Sequence, residues 1–150
     1  MSNKKKFGII TGALVLVFVL IASAFVKIGN METSKKLTIG DYQVATINAT
    51  GKVSESKQNI VTKDLLQLED IEIKLDEDAT ISYKVYYYDE DEKFISASDV
   101  KTSDYEIENV SNAKYVRVLI TPAQVDGEPA EVSALNMHNY TSQITIKVAK

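Results

Sequence analysis

A run of twenty residues without a charged side chain, Phe7 to Val26, constrains this chain more than any other feature of its sequence. A helix of that length spans about 30 Å, which is the hydrocarbon thickness of a bilayer. Thirteen of the twenty residues are Leu, Ile, Val or Phe, and the run lacks the polar stripe that a core helix of a globular domain normally shows. The sequence therefore predicts one N-terminal transmembrane helix over residues 7–26.

The charges around this run predict its orientation. Lys4–Lys6 precede it, and the first thirty residues contain no acidic side chain, so residues 1–6 are predicted to be a cytoplasmic basic tail. The order of basic residues, apolar run and small residues at Ala22–Ala24 is also that of a secretory signal peptide cleaved near Ala24. Two outcomes stay open: a single-pass protein of the cell membrane with an extracytoplasmic C-terminal domain, or a secreted protein.

Composition narrows the classes of function. The chain has no Cys, which excludes disulfide scaffolds and thiolate metal sites; Cys-free exported domains of this size are typical of Gram-positive bacteria. Residues 31–150 contain 13 basic and 21 acidic residues, a net charge of 13 − 21 = −8, and Arg117 is the only Arg. Nucleic acids are bound by clustered Lys and Arg. We therefore predict the membrane as a partner, through residues 7–26, and no nucleic acid.

Apolar and polar side chains alternate with the period of β-strands from residue 37 onward. The predicted strands are 71–75, 81–88, 115–120 and 144–148, with weaker candidates at 42–49, 59–62, 94–97 and 105–110. Asp-rich turns separate them, and only residues 129–140 suggest a helical turn. The sequence predicts an all-β fold, an antiparallel β-sandwich over residues 37–150, joined to the membrane segment by a polar stalk over residues 27–36.

Three stretches carry a resemblance to known domains. Residues 83–96, a strand ending in Tyr-Asp and followed by Lys-Phe-Ile-Ser, look like a unit of many Gram-positive and prophage surface domains, and residues 113–118 and 140–146 resemble later strands of those domains. Such domains are similar to galactose-binding-like and carbohydrate-binding-module jelly rolls. The resemblance implies a jelly-roll topology and a carbohydrate ligand. It also implies a structural Ca²⁺ as an option, for which the acidic turns 76–78 and 89–92 would supply oxygen ligands.

The sequence motifs predict neither a cofactor site nor a catalytic centre. The acidic turns do not match an EF-hand loop and favour solvated turns. His138 is the only His, and the sequence contains neither a Gly-x-Ser-x-Gly elbow nor a Gly-rich phosphate loop. We predict that the protein is not an enzyme and that it has no catalytic and no metal-binding residues.

Strand 81–88 supplies the candidate binding residues. If Tyr83 and Val85 face the core, Tyr86 and Tyr88 face outward, and the same count along 115–120 places Arg117 outward. Aromatic rings can stack on sugars and a guanidinium can bond their hydroxyl groups, so these three are predicted to bind ligand on an exposed face. The predicted function is a non-catalytic, membrane-anchored extracytoplasmic module for cell-wall or host carbohydrate. The alternative, favoured if other strands cover that face, is a structural or protein-interaction domain at the bacterial envelope.

Overall fold

The structure of the protein, a computed structural model, describes residues 34–150. The elements are β1 (Ser34–Lys36), β2 (Tyr42–Val44), β3 (Thr46–Ile47), β4 (Val53–Ser54), β5 (Ile60–Thr62), β6 (Leu66–Gln67), β7 (Glu72–Leu75), β8 (Ile81–Tyr88), β9 (Phe94–Ala97), β10 (Tyr115–Pro122), β11 (Ile144–Ala149), a 3-10 turn (Ile39–Asp41) and helix α1 (Met137–Thr141). The predicted basic tail, membrane segment and most of the stalk lie outside the described residues. No helix within residues 34–150 is long and apolar enough to cross a membrane.

The strands form two main sheets and a separate hairpin. The smaller sheet has the order β1-β11-β7, and the larger has the order β2-β5-β10-β8-β9, with β6 also pairing with β10. Strands β3 and β4 pair only with each other. The strand pairs other than β1 with β11 are all antiparallel. This confirms the prediction of an all-β fold with antiparallel sheets.

Apolar side chains from both main sheets meet in one core. Strands β8 and β10 lie at the centre of the larger sheet and pair over eight residues, and their inward residues Val85 and Val118 are completely buried. They pack with Ile73 and Ile146 of the smaller sheet. Because the side chains of a strand alternate between its two faces, each sheet directs one apolar face into this layer, as in a β-sandwich.

Residues 34–36, predicted as the end of the stalk, instead form β1 beside β11. Their side chains are all exposed, so no apolar residue in the sequence signals the strand. The sheet therefore includes residues before the predicted domain boundary at residue 37. Strands β4 and β6 were also missed, because two residues are too few to show an alternating pattern.

Residues 105–110, predicted as a strand, form an irregular segment over the sandwich. The Tyr105 N–H donates to the Ile73 carbonyl over 3.0 Å, and the Tyr105 hydroxyl lies 2.7 Å from that of Tyr87. Ile107, the apolar residue that completed the alternating pattern, is 73% exposed. Individual bonds rather than a ladder hold this segment, so the alternation there does not reflect a sheet.

Candidate functional site

The three predicted ligand-binding residues lie together on the outer face of the larger sheet. Arg117 of β10 is directly opposite Tyr86 of β8, and Tyr88 lies two residues further along β8. The intervening Tyr87 belongs to the main core, whereas Tyr86 and Tyr88 belong to a second apolar cluster. The prediction that the rings of Tyr86 and Tyr88 point away from the main core is therefore confirmed.

That outer face is covered, so the prediction that Tyr86 and Tyr88 form an exposed platform is wrong. Tyr86 is 8% exposed and Tyr88 is 4% exposed. The second cluster that encloses them consists of Ala45, Ile47, Val61 and Leu119, with Leu65, Phe94 and Tyr115 at its margin. With so little of either ring accessible, the pair offers no stacking surface to a sugar in this conformation, and its predicted ligand role gains no support.

The hairpin of β3 and β4 supplies the cover. Its tip is organised by Asn48, whose Oδ1 accepts a hydrogen bond from the Thr50 N–H over 3.0 Å. Gly51 has a φ of +78°, and a β-carbon at this position would lie 2.3 Å from the Phe94 side chain. The Tyr88 hydroxyl donates to the Gly51 carbonyl over 2.6 Å. The tip is thus held against the sheet by a hydrogen bond and a close backbone approach.

Arg117 is engaged within the fold. Its Nη1 donates to the carbonyl oxygens of Thr62, over 2.8 Å, and of Lys63. Both acceptors lie where the chain leaves β5 towards β6, so the guanidinium fixes that connection. Burial raises the pKa of the Tyr88 hydroxyl, and the nearby Arg117 charge offsets only part of the rise. These contacts give Arg117 a structural role on this face.

The polar residues considered for metal binding or catalysis have surface roles. No three His, Cys, Asp or Glu side chains within residues 34–150 are placed to hold a metal ion. In the acidic turn 89–92, Asp89 Oδ1 accepts hydrogen bonds from the backbone N–H groups of Asp91 and Lys93, over 2.8 and 2.9 Å, as in an Asx turn. His138 is exposed on α1.

A groove of about 890 Å³ lies along β2, an edge strand of the larger sheet. Its apolar lining consists of Ile39, Tyr42, Val44, Val132, Ala134 and Met137. Gln43, which points to the opposite face of the sheet from Tyr42 and Val44, also lines it. Since residues from both faces of β2 line it, the groove follows the edge of this strand rather than one face.

The hydrogen bonds beside β2 show which of its backbone groups face its neighbour. The Asp41 carbonyl accepts from the Lys63 N–H over 2.9 Å, and the Ala45 N–H donates to the Asn59 carbonyl over 3.2 Å. In an antiparallel ladder, every second residue directs both backbone groups to the partner strand. Residues 41, 43 and 45 therefore point towards β5, and residues 42 and 44 point away from it.

The groups that point away from β5 are largely without partners. The Tyr42 N–H donates to the Ile39 carbonyl. Within residues 34–150, the Tyr42 and Val44 carbonyls accept no hydrogen bond and the Val44 N–H donates none. Near this edge, Ile39 is 44% exposed, and Leu135, which follows Ala134, is 97% exposed. Sequence reasoning missed this groove, because nothing in the local pattern shows that β2 lies at an edge.

Comparisons with known proteins add no identity: no protein-family model, no curated protein and no solved structure matches this chain. The resemblance to Gram-positive and prophage surface domains therefore stays a sequence-based expectation. The function has to be inferred from the fold and its groove.

Proposed function

We propose that the protein is a non-catalytic, membrane-anchored extracytoplasmic binding module whose ligand is a segment of another protein. The apolar run 7–26 and the basic tail before it would supply the anchor, or a secretory signal if cleavage occurs near Ala24. Residues 34–150 would supply the recognition domain. The two main sheets contain nine strands, three and six, and the jelly-roll topology we propose for them rests on the sequence resemblance.

The groove along β2 is the observation that carries the proposal. Its volume of about 890 Å³ falls within the usual size of ligand sites, and it is open, whereas the outer face with Tyr86 and Tyr88 is closed. Exposed apolar residues near such a groove mark interaction surfaces when they cluster. Ile39, which lines the groove, is 44% exposed, and Leu135, the neighbour in the chain of the lining residue Ala134, is 97% exposed.

The chemistry of the groove favours a polypeptide over a carbohydrate. A sugar needs several polar side chains for its hydroxyl groups and an accessible ring for its apolar face. The lining has polar side chains, among them Gln43, Glu55 and Glu131, but its aromatic residue, Tyr42, is buried and offers no ring for a sugar to stack on. An apolar groove beside unpaired backbone groups is the combination that peptide-binding domains use.

The proposal is tested by comparing peptide and glycan binding of the full chain in detergent micelles. A displayed library of random peptides and a panel of wall and host polysaccharides are applied to the unchanged protein and to Ala134→Arg, which places a long side chain in the groove. Ala49→Arg is the matched control, because Ala49 is also exposed but lies at the tip of the β3–β4 hairpin.

We expect peptides selected on the unchanged protein to bind Ala49→Arg equally well and to bind Ala134→Arg roughly tenfold more weakly. Peptide binding that ignores the Ala134 substitution would place the site elsewhere. Retention on a polysaccharide, with no peptide selected, would restore the carbohydrate hypothesis and reject the protein ligand.

A further inference from the structure

We infer that β2 accepts an extended, basic segment of a partner protein as an added strand of the larger sheet. This inference rests on the proposed function, because it specifies how the groove would hold its ligand. The strand would lie in the groove beside Tyr42 and Val44, with its backbone paired to theirs.

The backbone of β2 supplies the bonds for such a strand. The Tyr42 carbonyl and the Val44 N–H and carbonyl point away from β5 and have no hydrogen bond from within residues 34–150. Neighbouring strands lie about 4.8 Å apart, so an extended segment at that distance would pair with all three groups. Strand addition of this kind takes its affinity from main-chain bonds and its specificity from alternate side chains.

The shape of the edge selects a single segment rather than a second copy of this chain. Residues 55–57 and 131–134 line the groove beside β2, and the Val132 N–H donates to the Lys57 carbonyl over 2.6 Å, which joins these two segments. A second copy would present its own β2 flanked by the same two segments. Pairing two β2 strands would therefore bring the flanking segments of both copies against each other, whereas a single extended chain brings no such segments.

The net charge of the domain favours a positively charged partner segment. Residues 31–150 carry a net charge of 13 − 21 = −8, so the field of the domain attracts cationic segments over long range. Glu55 and Glu131 lie at the groove and are exposed, where they can pair with Lys or Arg of the segment. The groove also has Lys57 and Lys63, so the local charge is balanced. The preference for a basic segment comes from the whole domain.

The inference is tested with a synthetic peptide of about nine residues that alternates valine and lysine, added to the full chain in detergent micelles and followed by fluorescence anisotropy. Two further peptides carry backbone N-methyl groups, one on the valines and the other on the lysines. In a strand, only one of these two sets directs its N–H groups to β2. We expect one N-methylated peptide to bind normally and the other to bind roughly tenfold more weakly or not at all.

The matching protein variant is Val44→Pro, which deletes the N–H that points away from β5 and keeps the ladder to β5 intact. Proline is tolerated on an edge strand when its missing N–H faces outward. We expect Val44→Pro to weaken binding roughly tenfold while the melting temperature stays close to that of the unchanged protein. The N-methylated peptides provide the same test on the unchanged protein if the variant is unstable.

A peptide with glutamate in place of lysine tests the charge. It should bind roughly tenfold more weakly than the lysine peptide, and added salt should narrow the gap. Equal or stronger binding of the glutamate peptide would overturn the basic partner.

If both N-methylated peptides bind like the unmodified one while Ala134→Arg blocks binding, the groove binds peptides without strand addition; the inference fails and the proposed function stands. If neither the basic nor the acidic peptide binds and no displayed peptide is selected, both are rejected.

Discussion

Two tyrosines on the same face of β8 differ in what their hydroxyl groups contact. The Tyr88 hydroxyl donates to the Gly51 carbonyl in the hairpin tip over 2.6 Å. The Tyr86 hydroxyl makes no hydrogen bond within residues 34–150. Every buried side-chain polar atom of these residues has a hydrogen-bond partner, so the Tyr86 hydroxyl is not buried and contacts solvent. Burial raises the pKa of both phenols, and both are neutral at physiological pH. The two residues therefore form a matched pair for measuring what the tie to the hairpin contributes.

Tyr88→Phe should lower the free energy of unfolding by about 1 kcal/mol, because the substitution removes one buried hydrogen bond and leaves the Gly51 carbonyl without its partner. Tyr86→Phe should change it by less than about 0.5 kcal/mol. Urea denaturation of both variants measures the difference. Equal losses would show that the bond to Gly51 adds nothing to the fold.

Among residues 34–150, Asp41 is the carboxylate whose pKa the fold lowers. Its Oδ2 accepts a hydrogen bond from the Thr38 N–H over 2.7 Å, and Lys35 Nζ lies 3.1 Å from its Oδ1. The Thr38 bond, and then Lys35, hold the pKa of Asp41 below its ordinary value of 3.8. Because the pKa is lower in the folded state, the unfolded chain binds the proton more readily. This stabilisation is present above about pH 4 and is lost as the pH falls through the folded-state pKa.

The Asp41→Asn variant should melt below the unchanged protein at neutral pH, and the gap should shrink as the pH falls from about 6 to 3. Asparagine cannot accept the Thr38 bond with a full charge and does not titrate, so its own contribution stays constant. Thermal melts by circular dichroism at each pH give the comparison. A gap that stays the same across this range would show that the Asp41 charge does not stabilise the turn.

At the scale of elements, the length of a strand decides whether the sequence reveals it. The predicted strand 81–88 matches β8, and the prediction 115–120 covers most of β10, because an unbroken alternation or apolar run carries over many residues. The predicted strand 42–49 is divided instead: β2 ends at Val44, and β3 turns off to cover the outer face. The side of the sheet to which a side chain points follows from the local alternation of residues, and so it was predicted correctly for Tyr86. Coverage depends on where the distant segment 46–54 folds, and no local pattern contains that information.

Gly51 should tolerate a side chain much less well than Gly127, although both have a positive φ, +78° and +80°. At Gly127 an added β-carbon meets nothing within 4 Å, whereas at Gly51 it lies 2.3 Å from Phe94. Gly127→Ala should therefore lower the free energy of unfolding by about 1 kcal/mol, from backbone strain alone. Gly51→Ala should lower it by about 3 kcal/mol, because overpacking adds to the strain.

Chemical denaturation of the two glycine variants in the same buffer measures the contrast. Losses of the same size would mean that the β3–β4 hairpin moves away from Phe94 at little cost, and that the cover over Tyr86 and Tyr88 is loosely held.

At the scale of the whole molecule, the sequence predicted the all-β class of the domain but missed the groove. The groove is lined by residues 39, 40, 42–44, 55–57, 63, 131–134 and 137, which are far apart in the chain. None of these segments is distinctive alone, since those around β2 and before α1 mix apolar and polar residues and 55–57 is Glu-Ser-Lys. Only the sheet order, with β2 at an edge, brings them together. A site of this kind follows from topology and has no local motif.

The absence of Cys from the natural sequence allows a direct test of the proposed membrane topology. Leu135→Cys places a thiol on a side chain that is 97% exposed, and Ser2→Cys places one in the predicted cytoplasmic tail. A membrane-impermeant maleimide added to intact protoplasts should label the Leu135→Cys variant and leave Ser2→Cys unlabelled until the cells are lysed. Protection of Leu135→Cys before lysis would reject an extracytoplasmic domain.

The order of strands also sets when the domain can fold during its synthesis. The central strands of the two sheets, β10 and β11, come from residues 115–122 and 144–149, whereas their neighbours β1, β5, β7 and β8 all precede them in the chain. The larger sheet cannot be completed until residue 122 has emerged from the ribosome, and the smaller sheet not until residue 149, because each lacks its middle strand before then. If the chain is exported as we propose, this delay would keep most of its length unfolded during transit. Folding would then be one late step, completed outside the membrane.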